Sequence, residues 1–107
     1  MKRYGQVIKL KPEFKEKYLE LHRNIWPEIS NLIVECNIKN YSIFLKDNYL
    51  FAYFEYYGEN FDDDMKKMSD DPINLRWWSL CKPCQEKIDS AGENEWWADM
   101  KEVFHNA

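Results

Sequence analysis

Residues 40–56, NYSIFLKDNYLFAYFEY, hold the pattern on which the fold turns. Two runs, 40–46 and 49–56, are rich in β-branched and aromatic side chains, and the polar pair Asp47-Asn48 separates them. Runs of that kind joined by two turn-forming residues predict a β-hairpin. Upstream, the apolar spacing changes from that of strands to that of a helix. Phe14, Tyr18, Leu21 and His22 follow i, i+4, i+7, i+8 from Pro12 onward, which is one helix face. Residues 24–27 interrupt it, and Pro27 suits the first turn of a second helix, where its missing N–H is not needed. That helix is expected to carry Ile25, Ile29, Leu32, Ile33 and Cys36 on one stripe. Ahead of both helices, residues 3–10, RYGQVIKL, read as a strand closed by Pro12.

Downstream of the hairpin, Asn60 is placed to cap a short helix. The first turn of that helix holds Asp62, Asp63 and Asp64, where the helix dipole favours negative charge. A further helix is expected from Asp71-Pro72 through LRWWSLCK towards Ile88, with Pro83 near a kink or an end. Residues 90–94, SAGEN, read as a loop. The tail 95–105, EWWADMKEVFH, alternates as an end strand does. Strand, helices, strand, strand, helices, strand is the ferredoxin-like α+β pattern: an antiparallel sheet with helices on one face. The other face, apolar or aromatic, needs a cover, and a second copy packed sheet to sheet would supply it.

Composition narrows the function. The chain of 107 residues is expected to form one domain, 1–107. Its five tryptophans, seven tyrosines and six phenylalanines exceed what one small core holds, so rings are expected to line a cavity or an interface. The net charge is −4 and Lys and Arg are dispersed, which argues against a nucleic-acid partner. Apolar runs are short and broken by charges, and the basic start MKRYGQVIKLK lacks the apolar stretch of a signal peptide. A cytoplasmic location without membrane contact is therefore expected. Cys36, Cys81 and Cys84 are odd in number, which suits reduced thiols.

Among candidate chemical groups, Tyr18 and His22 are four residues apart and so share a helix face. Histidine exchanges protons near neutral pH, and a neighbouring phenol can orient a hydroxyl-bearing ligand. By spacing alone, His22 could equally be a passenger on that face, and Trp26, one turn on, could be core. The rings of the adjacent pair Trp77-Trp78 diverge by about 100° on a helix. One can face the core while the other faces a pocket, where it could stack on the C–H face of a sugar, or an interface. Trp96-Trp97 is read as structural. Cys81-x-x-Cys84 lacks a second ligand pair, so no metal site is expected and the thiols are read as inert. The acidic residues 62–64 are read as helix-start charge rather than a cation site. With only three glycines there is no phosphate loop.

These residues together resemble a known family. Tyr18, His22 and Ile25-Trp26-Pro27-Glu28, then Asn40-Tyr41 and Ile43, Arg76-Trp77-Trp78, and Glu102-Val103-Phe104 match the L-rhamnose mutarotases in order and spacing over nearly the whole chain. The combination of HRNIWPEI with RWW is the specific part. The resemblance implies a dimeric α/β barrel of two protomers that interconverts the α and β anomers of L-rhamnose without metal or organic cofactor. It implies that His22 is the proton donor and that Tyr18, Tyr41, Trp77 and Trp78 contact the sugar. Trp26 and Arg76 are assigned to pocket architecture. In this reading His22 protonates the ring oxygen, while Tyr18, Tyr41 or a water serves the anomeric hydroxyl. L-fucose is the alternative sugar. A monooxygenase on the same barrel and a non-catalytic binding dimer are the alternative functions.

Overall fold

The computed structural model describes all residues, 1–107. The hairpin of β2 (Ile38–Lys46) and β3 (Tyr49–Tyr56) is present as expected. Asp47 and Asn48 both adopt positive φ, 51° and 62°, the two-residue turn whose twist matches that of the strands. Strand β1 (Lys2–Leu10) inserts beside β3, antiparallel from Lys2↔Tyr56 to Lys9↔Tyr49. The sheet order is β2-β3-β1, and the far edge of β1 is shared by β4 (Gln85–Glu86) and β5 (Ala98–Met100).

Period-two alternation sorts the sheet into two faces. Ile8, Leu10, Leu50, Ala52, Phe54 and Tyr56 are buried towards the helices. The helices are α1 (Lys15–Arg23), α2 (Pro27–Glu35), α3 (Phe61–Asp70) and α4 (Pro72–Cys81). One core cluster joins Ile8, Leu10 and Leu50 to Tyr18, Ile29, Trp77 and Cys81; a second joins Ile38, Phe54 and Tyr56. The opposite sheet face carries Phe44, Tyr49 and Phe51, exposed by 64%, 39% and 37%. No helix is long and apolar enough to cross a membrane.

Helix boundaries follow the local chemistry. Asn60 accepts a bond from the Asp63 amide and caps α3. Asp71 Oδ1 accepts from the Ile73 and Asn74 amides and caps α4, whose first residue is Pro72. The acidic run at the start of α3 is built in: Asp64 accepts from Asn37 and from the Tyr56 hydroxyl.

Four expectations are corrected. Helix α4 stops at Cys81 instead of running towards Ile88, because Pro83 tightens the next turn, Lys82–Cys84, and the Lys11 amide then takes the Cys84 carbonyl. The chain emerges directly as β4. The end strand expected over 95–105 is only Ala98–Met100; past it, the tail is held to β1 by the Arg3 Nε–Glu102 bond. Phe14 lies in a separate 3-10 turn and is 37% exposed, so the buried face of the first helix begins at Tyr18. Ile25 precedes α2, which starts at Pro27, and so does not belong to its stripe.

Candidate active site

A cleft of about 1000 Å³ opens between the sheet and the helices. Tyr18, His22, Tyr41, Trp77 and Trp78, drawn from three separate elements, all line it. Helix α1 supplies the first two from successive turns of one face. Their rings stack, with centroids 4.2 Å apart, and the edge of Trp77 meets the imidazole at 5.4 Å. Trp26 braces Trp77 from behind in an edge contact at 5.1 Å.

The orientation of His22 fixes its tautomer. Nδ1 lies 2.9 Å from the Tyr18 carbonyl oxygen, which can only accept, so Nδ1 carries the hydrogen. Burial lowers the pKa of His22 below its ordinary value, against a smaller opposing contribution from that backbone bond. The neutral ring therefore holds a lone pair on Nε2, which has no protein partner.

Tyr18 is 2% exposed, and burial raises its pKa far above that of a free phenol. Its hydroxyl meets the side-chain amide of Gln85, Nε2 to Oη, at 3.2 Å. Tyr41 arrives differently. The β2–β3 register shifts between Lys39 and Ser42, and Asn40 takes a φ of 52°. This bulge sets two residues, Asn40 and Tyr41, against one, and the Tyr41 ring comes to rest 5.6 Å from Phe54. The residue as a whole is 38% exposed, yet its phenol end is desolvated, with a pKa pushed up to about 12.

Of the tryptophan pair, Trp77 is buried at 5% and Trp78 is half-buried, with Lys82 Nζ 4.6 Å from its ring centroid. Arg76 is exposed and lies off the cleft wall, which corrects its assignment to pocket architecture; the surface is the open side of α4 at that position. Trp96 and Trp97, read as structural, also line the cleft. Trp96 Nε1 donates to Gln85 Oε1 at 2.8 Å. Gln85 carries no signal in the sequence: the helix expected towards Ile88 would include it, and it sits instead on β4, lining the cleft. Cys81 and Cys84 are buried free thiols, and burial pushes Cys81 up to about 12, so little thiolate is present at neutral pH.

The arrangement unites a neutral proton acceptor, neutral phenols and indole rings in one mostly apolar cleft. It suits proton exchange on a polyhydroxylated ligand with apolar C–H faces. A model of the L-rhamnose mutarotase family matches residues 3–106. An L-rhamnose mutarotase from Oceanobacillus iheyensis is 34% identical, over 98% of each chain. Among solved structures, an L-rhamnose mutarotase from Formosa agariphila superimposes with a TM-score of 0.77 at 23% identity, over the full length of both chains. Tetracenomycin F2 cyclase from Streptomyces glaucescens, at 10% identity and a TM-score of 0.71, shares the fold alone. Matched along nearly its whole length in sequence and over all of it in fold, the chain belongs to the L-rhamnose mutarotase family.

Proposed function

We propose that the chain interconverts the α and β anomers of L-rhamnose, with His22 transferring the proton and Tyr18, Tyr41, Trp77 and Trp78 holding the sugar. The observation that carries this reading is the imidazole itself: neutral, braced by two aromatic rings, with Nδ1 committed to the Tyr18 carbonyl and Nε2 free at the cleft. Mutarotation opens a hemiacetal. The anomeric hydroxyl gives its proton to His22 Nε2, the bond between C1 and the ring oxygen breaks, and the ring oxygen takes a proton from a phenol of the cleft, Tyr18 or Tyr41, or from a water. C1 then turns about its bond to C2, and the ring oxygen attacks its other face. The imidazolium returns its proton to the anomeric oxygen as the ring oxygen gives its proton back to the phenol or water that supplied it. A neutral ring with its only N–H already bonded must accept first, so His22 acts as donor on ring closure. That reverses the order expected from sequence, where it protonated the ring oxygen. No electron sink is required, so side chains suffice, and acid–base help of about 10² to 10⁴ in rate is adequate for a reaction that already proceeds in water.

The remaining assignments rest on general physics. The exposed aromatic side of the sheet is suited to a second copy packed face to face, giving a homodimer. Three buried free thiols suit a reducing compartment, the cytoplasm.

Saturation-exchange NMR with L-rhamnose, L-fucose and D-glucose tests the activity. The wild type should speed anomer exchange of L-rhamnose, and His22→Ala should lower turnover by at least about 10²-fold while sugar binding persists. Acceleration of L-fucose alone would reassign the substrate. No acceleration of any sugar, or a fully active His22→Ala, would overturn the reading.

A further inference from the structure

We infer that Gln85 and Trp96 are positioning residues that fix the direction of the Tyr18 hydroxyl, so that its hydrogen is presented to a ligand oxygen in the cleft. The inference deepens the mutarotase reading and rests on it for the identity of that oxygen.

It follows from which groups can donate. An indole Nε1–H only donates, so the atom 2.8 Å from Trp96 Nε1 must be an acceptor, the amide oxygen of Gln85. The same amide must then turn its nitrogen towards Tyr18, 3.2 Å away. An amide N–H only donates, so the Tyr18 oxygen accepts. The phenol hydrogen is left over, and no protein group accepts it. Gln85 is 5% exposed, so neither end of the amide can trade its partner for bulk water. The direction of the hydroxyl is thus set from Trp96 through a residue 67 positions from Tyr18 in the chain.

The direction matters for the reaction. The anomeric oxygen and the ring oxygen are bonded to the same carbon, C1. Tyr18 and His22 lie side by side on α1, with ring centroids 4.2 Å apart. A fixed donor beside a fixed acceptor matches two oxygens on one carbon, one gaining negative charge as the other loses its proton. With His22 Nε2 taking the anomeric proton, the Tyr18 O–H is the group that serves the ring oxygen.

The test is a double-mutant cycle. Gln85→Met keeps the volume and removes both bonds; it should lower kcat by about tenfold with a smaller change in KM, and the loss should vanish in a Tyr18→Phe background. Trp96→Phe frees the amide to turn over; it should lower kcat in the same way, and that loss should likewise vanish in the Tyr18→Phe background. Gln85→Glu retains two hydrogen bonds but makes both carboxylate oxygens acceptors, so it should draw the phenol hydrogen away from the ligand and be at least as damaging. A merely structural role predicts the opposite: Glu rescues, and the losses add in the Tyr18→Phe background.

A readout independent of turnover separates this proposal from the mutarotase reading. In a ¹H–¹⁵N spectrum, Tyr18→Phe should shift the Gln85 side-chain amide protons, and Gln85→Met should shift the Trp96 indole N–H. If the wild type accelerates no sugar but these shifts occur, the Trp96–Gln85–Tyr18 hydrogen-bond chain stands and the substrate assignment falls. If the resonances do not move, or the losses add, the positioning role is overturned.

Discussion

At the scale of single residues, His22 illustrates how burial converts a common side chain into a directed one. Its pKa is lowered chiefly by desolvation, so the neutral ring persists below the usual histidine range. In the proposed mechanism, activity needs that neutral form. The acidic limb of kcat/KM should therefore lie below the ordinary histidine value, and His22→Ala should abolish it; a limb at or above that value would contradict the burial argument. Stability moves in the same sense. The unfolded chain binds the proton more readily, so the contribution of His22 is present above the ordinary histidine pKa. It is lost as pH falls from there towards the lowered folded value. On the alkaline side, Tyr41 is held up at about 12 and Tyr18 is raised further by burial, so neither phenol should add a limb in the range of a free tyrosine. The pair Tyr18 and His22 was legible because i, i+4 spacing is a local property of a helix. Gln85 was not, because nothing near it in sequence hints at a phenol and an indole on either side.

Among the elements, strand β2 does the most for the site. Its bulge turns Tyr41 into the cleft, and Asn40 bears the backbone cost with a φ of 52°. Asparagine enters the left-handed region more easily than other non-glycine residues, whereas a β-branched residue enters it at about 1–2 kcal/mol. Asn40→Val should destabilise by about that amount and raise KM through displacement of Tyr41, while Asn40→Gly should leave KM nearly unchanged. Denaturant melts and sugar titrations of the two variants check this. The hairpin turn at Asp47-Asn48 was readable from its two residues. The bulge was not, because an extra residue in one strand is visible only against its partner, where Phe54 faces both Asn40 and Tyr41. The end of α4 was misplaced for a related reason: Pro83 marked a break, but the pairing of Gln85 and Glu86 with β1 is a contact with the opposite end of the chain.

For the molecule as a whole, the two faces of the sheet differ. One is closed by four helices; the other presents Phe44, Tyr49, Phe51 and Met100 to solvent. An exposed apolar face of this kind suits a partner, and the protomer has no helix left to cover it. Phe44 is already 64% exposed, so Phe44→Lys should cost the protomer little stability. In a face-to-face dimer it would bury an unpaired ammonium, which is strongly unfavourable. Sedimentation should find the wild type dimeric and the variant shifted towards monomer at equal concentration. A monomeric wild type would discard the dimer. The cleft lies on the helical side of the same sheet, so a monomeric variant that still turns over sugar would indicate a site complete within one protomer.

Taken by itself, the sequence determined what depends on neighbours a few residues apart. That includes the strand and helix periods, the turn at 47–48, the cap at Asn60, the helix start near Asp71-Pro72, and the shared face of Tyr18 and His22. The family motifs extended this to Tyr41, Trp77 and Trp78. Only the tertiary structure decided where α4 ends and β4 begins, how short the end strand is, which tryptophans meet the cleft, and how Trp96, Gln85 and Tyr18 join. Those outcomes depend on hydrogen-bond partners far apart in the chain. A buried donor or acceptor must find its partner wherever the fold brings one, and local spacing carries no record of that.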